Sequence, residues 1–146
     1  MKNSERASAV FKDGFNCAQA VFSTMAPALG LDAETAAKTA TAFGGGMARM
    51  GKTCGAVTGA FLAIGLARGN DSPADKESKE KTYELAREFI ERFTVLHGSI
   101  VCRELLGCDI GTAEGHQRAK ELGLFDSVCS RLVVDSVEIL EDMLST

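Results

Sequence analysis

The chain reads as all-α: a compact multi-helix bundle of about six to seven helices around a buried apolar central helix. Three observations predict this. Apolar residues recur at three- and four-residue steps over most of the sequence, and no run alternates like a strand for long. Cap and stop residues fall where those periodic runs begin and end. One stretch, AVTGAFLAIGL, carries no charge on any side, which marks a helix enclosed by others.

Each element follows from its residues. After a polar N-terminal helix, Asn16 stands as a cap before Ala18, Val21, Phe22, Met25 and Leu29, and Gly30 ends that stripe. Asp32-Ala33-Glu34-Thr35 opens an Ala-rich helix that runs to about Phe43. The uncharged helix spans about Lys52 to Arg68 and ends at Gly69, with Gly51, Gly55 and Gly59 as a smooth stripe for a close neighbour. Asn70-Asp71-Ser72-Pro73 is a turn. A long amphipathic helix follows, with Tyr83, Ala86, Ile90 and Phe93 on one stripe. The pairs Glu77–Lys81 and Glu88–Arg92 support its outer side, and it stops at His97-Gly98. Short helices are predicted over Ser99–Leu106 and His116–Leu122, with a loop from Cys108 to Gly115 between them. The last helix starts at Asp126 or Ser127 and carries Val133, Val137, Leu140 and Leu144.

The 146 residues suit a single domain, 1–146, able to bury its own core. Hydrophobic residues make up 45% and charged residues 25%, a globular rather than disordered balance. A net charge of −4 argues against a nucleic-acid partner, because a phosphate backbone demands a basic face. The polar start MKNSERASAV has no apolar export core, and no uncharged run reaches spanning length. The expected location is therefore cytoplasmic, without membrane insertion. In that compartment the five cysteines point to reversible redox chemistry or metal binding rather than static disulfides. A monomer and a homodimer both fit the smooth central helix.

One stretch offers a rival function. Gly46 to Thr53 fits G-x-x-x-x-G-K-[ST], the phosphate-cradling loop. Such a loop needs a buried strand ahead of it, and TAAKTATAF is Ala-rich and helical in spacing. Leu132-Val133-Val134-Asp135, the nearest match to a magnesium-holding strand, lies inside the final helix. Nucleotide binding ranks last among the readings.

The cysteines rank first. Cys17, Cys54, Cys102 and Cys129 each fall near the predicted start of a helix. There, unpaired amides and partial positive charge favour thiolate over thiol. Lys52, Arg103 and Arg131 add cations close by in sequence. Burial would act in the opposite direction, and free cysteine also serves as core filler. On this reading Cys54 attacks and Cys17 resolves the mixed disulfide, as in an oxidoreductase working through thiols. The alternative is a metal or iron–sulfur module ligated by Cys17, Cys54, Cys102, Cys108 and Cys129. The spacing names no cofactor and no redox partner. His97, at a helix end, and His116, expected on the surface, have no partner in the sequence pattern.

These residues resemble one known family. Cys54-Gly55-Ala56-Val57-Thr58-Gly59 is similar to the C-G-A-x-x-G motif of the C_GCAxxG_C_C family of redox-active proteins. Asn16-Cys17-Ala18-Gln19-Ala20-Val21 resembles its first cysteine segment and Phe43-Gly44-Gly45-Gly46-Met47 its glycine run. Cys102-Arg103-Glu104-Leu105-Leu106-Gly107 resembles its third segment, and Cys129 stands where its last cysteine is expected. The resemblance covers about residue 14 to the C-terminus. It implies a thiol site over a phosphate site, with Cys108 as an extra thiol beside the four.

Overall fold

A computed structural model describes residues 1–145. It is all-helical, with eight α-helices among the described residues. They are α1 (Asn3–Lys12), α2 (Cys17–Met25), α3 (Ala33–Ala40), α4 (Gly55–Arg68), α5 (Lys76–His97), α6 (Cys102–Leu106), α7 (Ala113–Glu121) and α8 (Ser130–Leu144). Short 3₁₀ turns follow α2 and α3, and a π turn, Phe125–Cys129, runs directly into α8. The count is slightly above the expected six to seven, and left-handed glycines mark the divisions already outlined in the last third of the chain. Gly107 (φ 68°) closes α6, and Gly123 (φ 67°) separates α7 from the π turn.

The main core gathers apolar faces of α1, α2, α4, α5 and α8. Phe89, Phe93, Ile64 and Leu140 are its largest fully buried side chains. Phe89 stacks on Phe93 and meets Phe61 edge-on. α4 packs against α2, α5 and α8. It is buried from Gly55 to Ala60 and again at Ala63 and Ile64, whereas Leu66 is 38% exposed. On α5, Arg92 bonds to Asp142 of α8 as well as to Glu88, and Lys81 pairs with Glu84.

α2 and α4 approach closely because glycines leave room. A Cβ on Gly59 would lie 2.7 Å from the Ala18 carbonyl oxygen, and one on Gly55 would lie 3.1 Å from Cys17 Cβ. Two glycines of the C-G-A-x-x-G segment thus let the start of α4 rest against the start of α2, with Cys54 and Cys17 at the crossing.

The chain between α3 and α4 departs from the sequence reading. α4 begins at Gly55, not Lys52, and the preceding loop turns left-handed. Gly45, Gly46, Met47, Ala48 and Arg49 all have φ between 52° and 71°. Glycine adopts this region freely, but each of the three side-chain-bearing residues costs roughly 1–2 kcal/mol there. The turn is held by its own amides: Ala48 N–H donates to Ala42 O, Gly51 N–H to Gly45 O and Lys52 N–H to Gly46 O. The loop then pairs across the chain through an isolated antiparallel bridge, Thr53 with Val101. Cys54 N–H donates to Ile100 O, and Cys102 N–H to Lys52 O.

Candidate thiol cavity

Four separated segments deliver four cysteines to one cavity. Cys17 is the first residue of α2, where Asn16 and Gln19 form a reciprocal cap: Gln19 N–H donates to Asn16 Oδ1 at 2.9 Å, and Asn16 N–H to Gln19 Oε1 at 3.0 Å. The same two side chains reach the turn after α3, through Asn16 Nδ2 to Thr41 O and Gln19 Nε2 to Thr41 Oγ1. Cys54 is the N-cap residue of α4, and Cys102 opens α6. The bridge between Thr53 and Val101 sets these last two side by side in the chain's only extended contact among the described residues. Cys129 ends the π turn.

All four line a cavity of about 550 Å³. Cys108 does not line it; this thiol is buried in a small cluster with Cys102, Leu106, Ile110, Ala119 and Cys129. Of the two cysteines in C-x5-C, Cys102 is therefore the one at the cavity. The glycine run forms part of the wall, and a Cβ on Gly46 would come within 2.7 Å of Cys102 Cβ. No disulfide is present; all five cysteines are free.

The thiols differ in their electrostatics. Cys17 and Cys129 are neighbours that share a hydrogen bond. That bond favours the thiolate on Cys129 and lowers its pKa, against burial and the nearby Asp126. The same bond, together with desolvation, holds Cys17 protonated well above the ordinary thiol range. Burial pushes Cys54 up to about 12, although the amides of Ala56 and Val57 work in the opposite direction. Desolvation likewise raises Cys102 to about 11, with Cys129 and Asp109 adding to the shift.

Of the two opposing influences expected from the sequence, helix start and burial, burial prevails at Cys54 and Cys102, and the neighbouring Cys129 together with burial at Cys17. At Cys54 desolvation outweighs the α4 amides. α6 has only five residues and little dipole to offer Cys102. Cys129, the one lowered thiol, is not at a free helix start. Its φ of −62° and ψ of −37° lie inside a continuous helical run, and its partner is a thiol rather than a dipole.

Other residues take places the spacing did not foretell. Arg49 and His116 line the cavity, and His116 is half-buried against Phe125 (ring centroids 5.4 Å apart) rather than on the surface. His97 lies away from the cavity, 2.9 Å from the Asp135 carboxylate. The Gly46–Thr53 loop is a poor phosphate cradle: the six amides from Met47 to Lys52 all donate to backbone carbonyls, and a 3₁₀ turn precedes it instead of a strand. Among the described residues no group of three or more His, Cys, Asp or Glu side chains is arranged to hold a metal ion, and no helix is long and apolar enough to cross a membrane.

Fold and site together define a helical protein with four cysteines lining one cavity. The family model described as "Putative redox-active protein (C_GCAxxG_C_C)" matches residues 15–143, and the chain belongs to that family. No curated protein and no solved structure matches it.

Proposed function

We propose that the cavity carries out thiol–disulfide exchange, with Cys129 as the attacking thiolate and Cys17 as the resolving thiol. One observation carries the reading: four cysteines from separate segments of the chain, Cys17 and Cys129 among them, line a single cavity. The opposite shifts of the neighbouring Cys17 and Cys129 support Cys129 as the more acidic thiol. Cys129 Sγ attacks one sulfur of a disulfide, that S–S bond breaks, and the other half leaves as a thiolate. Cys17 then gives up its proton to the departing thiolate and attacks Cys129 Sγ. The second half leaves as a thiolate, which takes a proton from solvent, and a Cys17–Cys129 disulfide remains. Two electrons pass from the pair to the substrate. Cys54 and Cys102 stay protonated beside them as a second dithiol.

Cys54 was the attacking residue expected from its place at a helix start. Its pKa of about 12 argues for Cys129 instead. The metal reading retains the donor chemistry of four thiols but gains no support from their present arrangement. Oxidation of the folded protein with diamide, followed by peptide mass mapping, tests the proposal. A Cys17–Cys129 bridge is expected, lost in Cys129→Ser and retained in Cys108→Ser. A first-formed bridge between Cys102 and Cys108, or stoichiometric iron or zinc in protein purified without oxygen, would overturn it.

A further inference from the structure

We infer that the substrate admitted by this cavity is a small organic disulfide bearing a carboxylate, recognised through Arg49. The inference rests on the thiol-exchange reading above and adds the substrate class. Size comes first. Cys54, Cys102 and Cys129 are 4%, 7% and 6% exposed, too deep for a disulfide fixed on the surface of a folded protein. A cavity of about 550 Å³ is in the range of small-molecule sites.

Lining chemistry comes second. Phe11, Leu105, Leu106, Ile110, Phe125 and Leu132 give the cavity an apolar wall, suited to the body of an organic molecule. The chain holds 20 acidic residues and a net charge of −4, yet no carboxylate residue is among those lining the cavity. Arg49 is there, and it forms no ion pair with a carboxylate among the described residues. Asp109 and Asp126 act on Cys102 and Cys129 from outside that lining. An arginine with no ion-pair partner, in a wall that holds no carboxylate, is suited to bind a carboxylate in bidentate fashion.

Backbone strain comes third. Arg49 has φ 63° in the left-handed turn, a conformation that glycine would adopt at lower cost. The turn brings Arg49 close against Gly45: a Cβ on Gly45 would come within 2.9 Å of both Arg49 Cα and Arg49 Cγ. Gly45 itself lines the cavity. The fold keeps a long cationic residue at a strained position in the cavity wall, where glycine would be easier to build.

Two chromogenic disulfides test this on the intact protein. Dithiobis(nitrobenzoate) carries a carboxylate on each ring, and dithiodipyridine is uncharged at neutral pH. With rates normalised to those of a simple free thiol, the wild type should favour the carboxylated reagent. Arg49→Gln should slow that reagent about tenfold, the usual scale for losing a charge-assisted contact, and leave dithiodipyridine within about twofold. Arg49→Lys should recover most of the loss, and added salt should narrow the preference. If Arg49→Gln slows both reagents equally, or neither, the anion-recognition inference fails while thiol exchange stands. If the folded wild type reacts with neither reagent but the unfolded chain reacts with both, the exchange reading itself fails.

Discussion

The two dithiols that share the cavity are built by opposite means. Cys17 and Cys129 come from segments near the two ends of the chain and meet through their side chains, so one thiol's proton stabilises charge on the other. Cys54 and Cys102 are brought together by backbone, through the bridge of Thr53 with Val101, and their side chains are raised by desolvation above all. Proximity alone therefore does not activate a buried thiol. A donor aimed at the sulfur does, because it offsets the desolvation that burial imposes. The four cysteines look alike as a sequence pattern, yet the lowered pKa of Cys129 and the raised values of Cys54 and Cys102 set them apart.

The largest expected consequence is selectivity in alkylation. At pH 7 a thiol at about 12 is ionised to roughly one part in 10⁵, against a few parts in a hundred for an ordinary thiol. The greater intrinsic nucleophilicity of the more basic thiolate offsets part of this, leaving about a 100-fold advantage for Cys129 over Cys54 toward iodoacetamide. Peptide-resolved alkylation of the folded protein measures it directly. Cys17→Ala removes the donor and should move the Cys129 profile to higher pH. Equal rates at Cys54 and Cys129 would erase the distinction between the pairs.

Stability at alkaline pH sharpens the same contrast. Cys54 and Cys102 have folded pKa values of about 12 and about 11, above the ordinary thiol value. A group whose pKa is raised on folding contributes stability below its unfolded pKa and loses it as pH climbs toward the folded value. The window is therefore about pH 9 to 11. There each thiol should cost the native state on the order of 1 kcal/mol per pH unit. Cys17, also raised, adds in the same direction, while the lowered Cys129 acts in the opposite one. Urea titrations across that window should show a falling midpoint, with a shallower fall in Cys54→Ala. A midpoint independent of pH would contradict the burial argument for both thiols.

Much of the scaffold was legible because local rules and tertiary packing agree. Asn16, Asp32 and Gly98 stand as caps where the apolar stripes begin and end, and the four family cysteines all line the cavity. The loop from Gly44 to Thr53 was not legible. Gly51-Lys52-Thr53 looks like a helix start, but pairing with Val101, far along the chain, draws these residues into an extended bridge. No rule of spacing assigns left-handed backbone to Met47, Ala48 and Arg49. The lowered pKa of Cys129 was hidden for a related reason: its first cause is Cys17, across the fold, rather than its own helix. Arg49 fell at an unspecified position of the Gly46–Thr53 pattern and carried no signal of its own.

The smallest effects test why the first pair can form at all, and they come from two glycines in one helix. Gly59 faces α2, and an added Cβ would lie 2.7 Å from Ala18 O, 3.0 Å from Ala18 Cα and 3.2 Å from Val21 Cβ. Two of those neighbours are backbone and cannot swing aside, so Gly59→Ala should push α2 away and destabilise the fold by about 1–3 kcal/mol. Gly65, later in α4, has nothing within 4 Å of its added Cβ. There the methyl group meets no obstacle and the unfolded chain loses freedom, so Gly65→Ala should stabilise by about 0.5–1 kcal/mol. Chemical denaturation of the two variants gives the sign of each change. Because α2 carries Cys17, Gly59→Ala should also weaken the hydrogen bond to Cys129 and slow alkylation there, which Gly65→Ala should leave unaltered. A Gly59→Ala variant as stable as wild type, with Cys129 equally reactive, would mean that the close approach of α2 to α4 does not set the thiol pair.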